Sequence, residues 1–119
     1  MKGYIVFLNC KKGKIKTKGK EFIIDDGNYA YVGSCGNYCD KRISRHMRKE
    51  KENFHWHIDY LSDICTPIAV LVLNMEEKEI ASKFSNFPSI HGFGSADDKR
   101  NKSHLFKINI ISAITTLKL

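Results

Sequence analysis

Three β-rich segments fall within the first 34 residues: GYIVFLN (3–9), EFIID (21–25) and NYAYVGS (28–34), each followed or preceded by a glycine-containing turn. A chain of short strands joined in this way is most simply an antiparallel sheet. The stretch between the first two, Lys11 to Lys20, reads as a turn or hairpin arm pivoting on Gly13 and Gly19. After Gly36 the pattern changes. No glycine or proline interrupts the chain until Pro67, and Asn37 with Asp40 three residues on has the spacing of a capping box, which predicts a helix over 38–51. Ile43 and Met47 would lie on one of its faces, and Arg42, Arg45, His46 and Lys49 on another. A strand end and a cationic helix face thus converge on one spot.

Further along, FHWHIDYLSDI (54–64) reads as a second helix and IAVLVLN (68–74) as a strand buried on both faces. Asn74 caps a helix running to about Phe84, with Glu77 at its N3 position, where a carboxylate can satisfy a backbone N–H and the helix dipole. Residues 85–103 read as loop, HLFKI (104–108) as a short strand, and the tail NIISAITTLKL as either strand or helix. At 119 residues the chain is one domain, long enough for one modest core.

Twenty Lys and Arg against thirteen Asp and Glu give a formal net charge of +7. That balance favours a polyanionic partner, set against the plainer reading of a solvated basic surface. The cations cluster: Lys11, Lys12, Lys14, Lys16, Lys18 and Lys20 form one group, and Lys41, Arg42, Arg45, Arg48, Lys49 and Lys51 a second. The apolar start breaks at Lys11 without a cleavage site and no apolar run reaches membrane-spanning length, which predicts a cytoplasmic protein with no membrane partner. Cys10, Cys35, Cys39 and Cys65 form no CxxC pair, so they read as reduced thiols rather than as a disulfide or zinc site.

Several side chains are candidates for chemistry, each with a plainer alternative. Tyr29 and Tyr31, two apart on a strand, share a face and could equally be core aromatics. Arg42 and His46 could belong to a solvated helix face. His55, His57 and Asp59 would share one face of a strand and could bind a metal there, but on a helix only His55 and Asp59 do; the helical pattern of Trp56, Tyr60 and Ile64 argues against a three-ligand site. Tyr38, Phe54 and Trp56 have the chemistry to stack on bases, although packing is the readier use of Trp56.

The order of these residues resembles the GIY-YIG nuclease superfamily: Gly-Tyr in the first strand, Tyr31-Val32-Gly33, Arg42 with His46 four residues later, and Glu77 opening a later helix. YAYVGS, HWHIDYL (55–61), GFGS (92–95) and SHLF (103–106, with His104) resemble its small Uri-like, endonuclease-like branch over nearly the whole chain. The resemblance implies an α/β domain of the α+β type, with a small central antiparallel three-stranded sheet flanked by helices, that cleaves DNA with one divalent metal, Mg2+ or Mn2+. It makes Tyr31 the tyrosine beside the attacking water and a proposed general base, Arg42 the group that stabilises charge on the phosphate, His46 the helix residue four positions on, held as His or Tyr, and Glu77 the metal ligand. Ser34, Lys41, Arg45 and Lys49 would face nucleic acid. Such domains occur alone and fused to DNA-repair enzymes, so a repair protein is an implied partner, and a binding module that has lost the chemistry is the alternative function. In Gly3-Tyr4-Ile5 the tyrosine stands one place earlier than in Gly-x-Tyr, which predicts that Tyr4 faces away from Tyr31 unless a bulge intervenes. Where the branch tends to carry cysteines after GFGS, this chain has Asp97, Asp98 and Lys99, so no zinc or redox role is expected of that loop.

Overall fold

The structure is a computed structural model and describes residues 2–17, 19–48 and 57–119, with the backbone alone at His57. Its centre is an antiparallel pair, β1 (Gly3–Cys10) and β4 (Gly27–Ser34), running from Gly3 opposite Ser34 to Cys10 opposite Gly27. Between them in the chain, β2 (Gly13–Thr17) and β3 (Lys20–Ile24) form a separate two-stranded hairpin. The segment EFIID therefore pairs with its sequence neighbour and not with the central sheet. Two further antiparallel strands complete that sheet, β5 (Cys65–Leu73) beside β1 and β6 (Leu105–Lys107) beside β4, in the order β5-β1-β4-β6. The expected three-stranded sheet is thus four-stranded, with a hairpin outside it.

Because side chains alternate across a strand, β1 and β4 feed two cores. Ile5, Phe7, Ala30 and Val32 point to one side, where they meet Ile80 and Ala81 of α2 (Glu77–Lys83), Phe84 at its C-cap, and Ala113 and Leu117 of α3 (Ile110–Leu117). Tyr4, Val6, Leu8, Tyr29 and Tyr31 point to the other. There they meet Ile15, Phe22 and Ile24 of the hairpin, Phe93, and Ile58 and Leu61 of a 3-10 helix at His57–Asp63. Each fully buried Ile, Leu or Phe contributes about 1.5–3 kcal/mol, so both layers hold the fold.

The edge position of β5 corrects its reading as a doubly buried strand. Pro67 has no N–H to give a ladder, which suits an edge, and the register against β1 shifts between Phe7 and Leu8. Ile68 and Val72 are 50% and 43% exposed. The segment expected as a second helix is a 3-10 helix from His57 onward; Phe54, His55 and Trp56 lie outside the described residues. The ambiguous tail is helical because Asn109 caps it, its side chain accepting from the N–H of Ser112 at 2.8 Å. Among the described residues no helix is long and apolar enough to cross a membrane.

All four cysteines are bonded, which corrects the reading of reduced thiols. Cys10 and Cys65 are direct register partners on β1 and β5, and Cys35 and Cys39 are brought together by the turn at Gly36. A cross-strand pair 55 residues apart leaves no mark in sequence spacing.

Candidate functional site at the open end of the sheet

The site forms where β1 begins and β4 ends. Residues directly opposite each other in an antiparallel pair share a face. Tyr4 stands opposite Gly33, so it lies on the face of Tyr29 and Tyr31 with no bulge in that pair, and its expected displacement to the other face is corrected. Gly33 is what makes room: a Cβ there would come within 2.4 Å of the Tyr4 ring. Gly94, with φ of +68°, does the same for Tyr31, since a Cβ would meet its ring at 2.9 Å and the left-handed backbone there disfavours any side chain. The GFGS loop is therefore moulded against Tyr31. Tyr29, by contrast, donates its hydroxyl to the Asp25 carbonyl at 2.9 Å and takes a structural part.

The helix that delivers the basic residues is α1 (Cys39–Met47). It ends at Met47, where Arg48 turns extended, and residues 49–51 of the expected 38–51 helix lie outside the described residues. Its N-cap position is Tyr38, which makes no side-chain capping bond, so the Asn37 capping box does not form. The Cys35–Cys39 disulfide ties its first residue to the end of β4 instead. His46 is 2% exposed, not on a solvated face. Its Nε2 is 2.7 Å from the Tyr4 hydroxyl, and its ring stands edge-on to Tyr31 with centroids 6.2 Å apart. Arg42 reaches back to donate to the Ser34 carbonyl, passing beside Gly36. Arg45 donates to the buried carboxylate of Asp59 at 3.0 Å, so it fastens α1 to the 3-10 helix. That interaction gives both residues a structural role. Lys41 is exposed, with its ammonium 5.4 Å from the centre of the Tyr38 ring. Lys49 and His55 lie outside the described residues, as does the side chain of His57.

Glu77 enters from the opposite side. The Gly3 N–H donates to the Met75 carbonyl at 2.7 Å, which pins the start of α2 against the start of β1. Glu77 is the first residue of α2, with Glu76 at the N-cap, and not at N3 as expected. Its Oε2 is 3.2 Å from His104 Nδ1, while His104 Nε2 is 2.7 Å from Asp98 Oδ2. Sequence reasoning included His104 without a role and missed Asp98 as a partner, because both come from an irregular loop with no period to relate them to Glu77.

Burial pushes the Tyr4 and Tyr31 phenols well above the ordinary tyrosine value; Arg42 pulls both down, and Glu77 and Asp59 add to the upward shift. At neutral pH both are hydroxyl donors. Burial works against charge on His104, but hydrogen bonds to Glu77 and Asp98 and their negative charges outweigh it and raise its pKa. Burial likewise opposes ionisation of Asp98, yet hydrogen bonds from His104, Asn101 and the Arg100 N–H hold it down at about 2. Arg42 holds the Ser34 carbonyl at the end of β4, His46 holds the Tyr4 hydroxyl, and Met75, just before α2, is bonded to Gly3 directly opposite Ser34, so tyrosines, arginine, histidine and carboxylate gather at one end of the sheet.

Among the described residues no group of three or more His, Cys, Asp or Glu could hold a metal. A single carboxylate, 28% exposed, is the donor that Mg2+ or Mn2+ takes when waters and a substrate phosphate supply the other ligands. Glu77 fits an ion of that kind and not a zinc site. No curated protein and no solved structure was found to match the chain. The family model for a domain of unknown function, DUF123, matches residues 3–118, and the chain belongs to that family.

Proposed function

We propose that this protein is a metal-dependent DNA endonuclease on a GIY-YIG-like scaffold. The observation that carries the reading is the convergence of Tyr4, Tyr31, His46, Arg42 and Glu77 at one end of the sheet, from β1, β4, α1 and α2. Hydrolysis of a phosphodiester needs a positioned water, a cation for the charge that builds on the phosphate, and help for the leaving oxygen. Tyr31, held as a neutral phenol, orients the water. The hydrogen-bonded pair of Tyr4 and His46 stands beside it to take up the proton. Arg42 meets the developing negative charge. Glu77 would hold Mg2+ or Mn2+, which when bound supplies positive charge to the leaving group. The exposed Lys41 and the net charge of +7 draw the polyanion to this end. Ser34 frames the same end through the carbonyl that receives Arg42.

The runner-up, a nucleic-acid-binding module without catalysis, is favoured by the strength with which burial holds both phenols in their neutral form. One experiment separates the two. Purified protein is incubated with supercoiled plasmid and with a branched duplex in Mg2+, Mn2+ or chelator, beside Glu77→Ala. Metal-dependent nicking that the variant lacks, with DNA affinity retained, is the expected result. Unchanged turnover in Glu77→Ala would sink the assignment of that residue. Salt-sensitive DNA binding without product in any metal would leave the binding module.

A further inference from the structure

We infer that Asp98 and His104 are positioning residues that lock the carboxylate of Glu77 into one orientation toward a bound divalent cation. The inference rests on the reading of Glu77 as a metal ligand and extends it to two residues with no assigned part. His104 is 2% exposed and its backbone is fixed on both sides, its N–H donating to the Phe93 carbonyl at 2.8 Å and its own carbonyl accepting from Val32 at 2.9 Å. With the backbone so held, the ring spans two carboxylates: Nδ1 to Glu77 Oε2 and Nε2 to Asp98 Oδ2. Any rotation of the imidazole that frees Glu77 also breaks the contact with Asp98.

Asp98 is itself built in. Its side chain is 2% exposed. Oδ1 accepts from the backbone N–H groups of Arg100 and Asn101, at 3.0 and 3.3 Å, and Oδ2 accepts from Asn101 Nδ2 at 2.8 Å as well as facing His104. Asn101 Nδ2 also reaches the Lys78 carbonyl at 3.3 Å and Ser82 Oγ at 3.2 Å, both on α2. The loop therefore grips the helix that carries Glu77 at two points, and one of them is the candidate ligand itself. A carboxylate that binds metal loses affinity when its outer hydrogen-bond partner is removed, typically about 10- to 100-fold. A loop staple alone would need only the Asn101 contacts; it would not need a buried histidine ending on a partly exposed carboxylate.

The test is Mn2+ titration of the full chain followed by electron paramagnetic resonance, with and without a short duplex, on wild type, Glu77→Gln, His104→Gln and Asp98→Asn, with circular dichroism to verify folding. Glu77→Gln is expected to abolish binding, His104→Gln to weaken it by about 10- to 100-fold, and Asp98→Asn to weaken it less. A folded His104→Gln protein with wild-type Mn2+ affinity overturns the positioning role while leaving Glu77 as ligand. Wild type that binds no Mn2+ in either condition overturns the metal reading of Glu77 itself, and the brace with it. Should His104→Gln not fold, unchanged affinity in Asp98→Asn overturns the proposal in its place.

Discussion

On the side of the sheet covered by α2 and α3, Ile5, Phe7, Ala30 and Val32 meet Ile80, Phe84, Phe106 and Leu117, and every member of that buried cluster is a hydrocarbon side chain. On the other side the same two strands present Tyr4, Tyr29 and Tyr31, with His46 buried against them and Asp59 buried behind Arg45. Burying a hydroxyl, an imidazole or a carboxylate costs free energy that its hydrogen bonds only offset, whereas burying hydrocarbon stabilises outright. The first side is built for stability. The second side gives up part of its stability for groups that can do chemistry, and at the open end of the sheet a second polar cluster joins Glu77, at the start of α2, to His104 and Asp98.

The largest effect expected from this contrast is on the hydrocarbon side. Phe84 is fully buried between Phe87 and Phe106, with ring centroids 6.4 and 5.6 Å away. Phe84→Ala should lose about 3–5 kcal/mol in denaturant unfolding, while under the proposed nuclease activity the fraction that stays folded should cleave DNA at the wild-type rate. A smaller loss than that of any single hydroxyl removed from the tyrosine side would break the comparison.

A middle-sized effect belongs to the polar side and depends on pH. The folded-state pKa of Asp98 is lowered from 3.8 to about 2. A carboxyl depressed on folding adds stability that is present above its unfolded value and is lost as pH falls toward its folded one. Wild type should therefore lose on the order of 2 kcal/mol between about pH 4 and pH 2 from this group, and Asp98→Asn should unfold with a visibly flatter acid limb. Equal acid limbs in urea melts at stepped pH would show that the Asp98 hydrogen bonds do not favour its ionised form.

The two sides also differed in how far they could be read from sequence. Strand alternation made Tyr29 and Tyr31 partners on one face, and Gly-punctuated segments located β1, β3 and β4, because these signals are local and have a period. The face of Tyr4 depends on which residue of β4 it meets, and that register is set by long-range pairing of β1 with β4, in which Tyr4 meets Gly33. Pro67 marks β5 as an edge strand, but it lies just outside the run of branched residues, 68–74, that reads as the strand. The disulfides, the grip of Arg45 on Asp59 and the chain from Asp98 through His104 to Glu77 are all long-range or loop-borne, and no spacing announces them. Glu77 was found by its order in the chain, yet its place at the first helical position, facing His104, is a product of how α2 docks on the start of β1.

The smallest stability effect should come with the sharpest functional one, at Tyr4. Tyr4→Phe keeps the ring in the space above Gly33 and removes only the hydroxyl that stands 2.7 Å from His46 Nε2. A single hydrogen bond of this kind is worth about 1 kcal/mol net, so thermal unfolding should shift by a few degrees at most. If the pair carries a proton during hydrolysis, the cleavage rate should fall by on the order of 100-fold or more, the range seen when a positioned acid or base is lost. The two numbers must be measured on the same preparation, because their ratio is what separates the sides of the sheet. Under the proposed activity, a hydrocarbon-side change such as Phe84→Ala should cost several kcal/mol and spare the rate per folded molecule, whereas Tyr4→Phe should cost little and remove the rate. If Tyr4→Phe cleaves normally, the hydroxyl is only a satisfied core group, the tyrosine layer is as structural as the phenylalanine layer across the sheet, and the proton must be taken up by a group other than the Tyr4 and His46 pair.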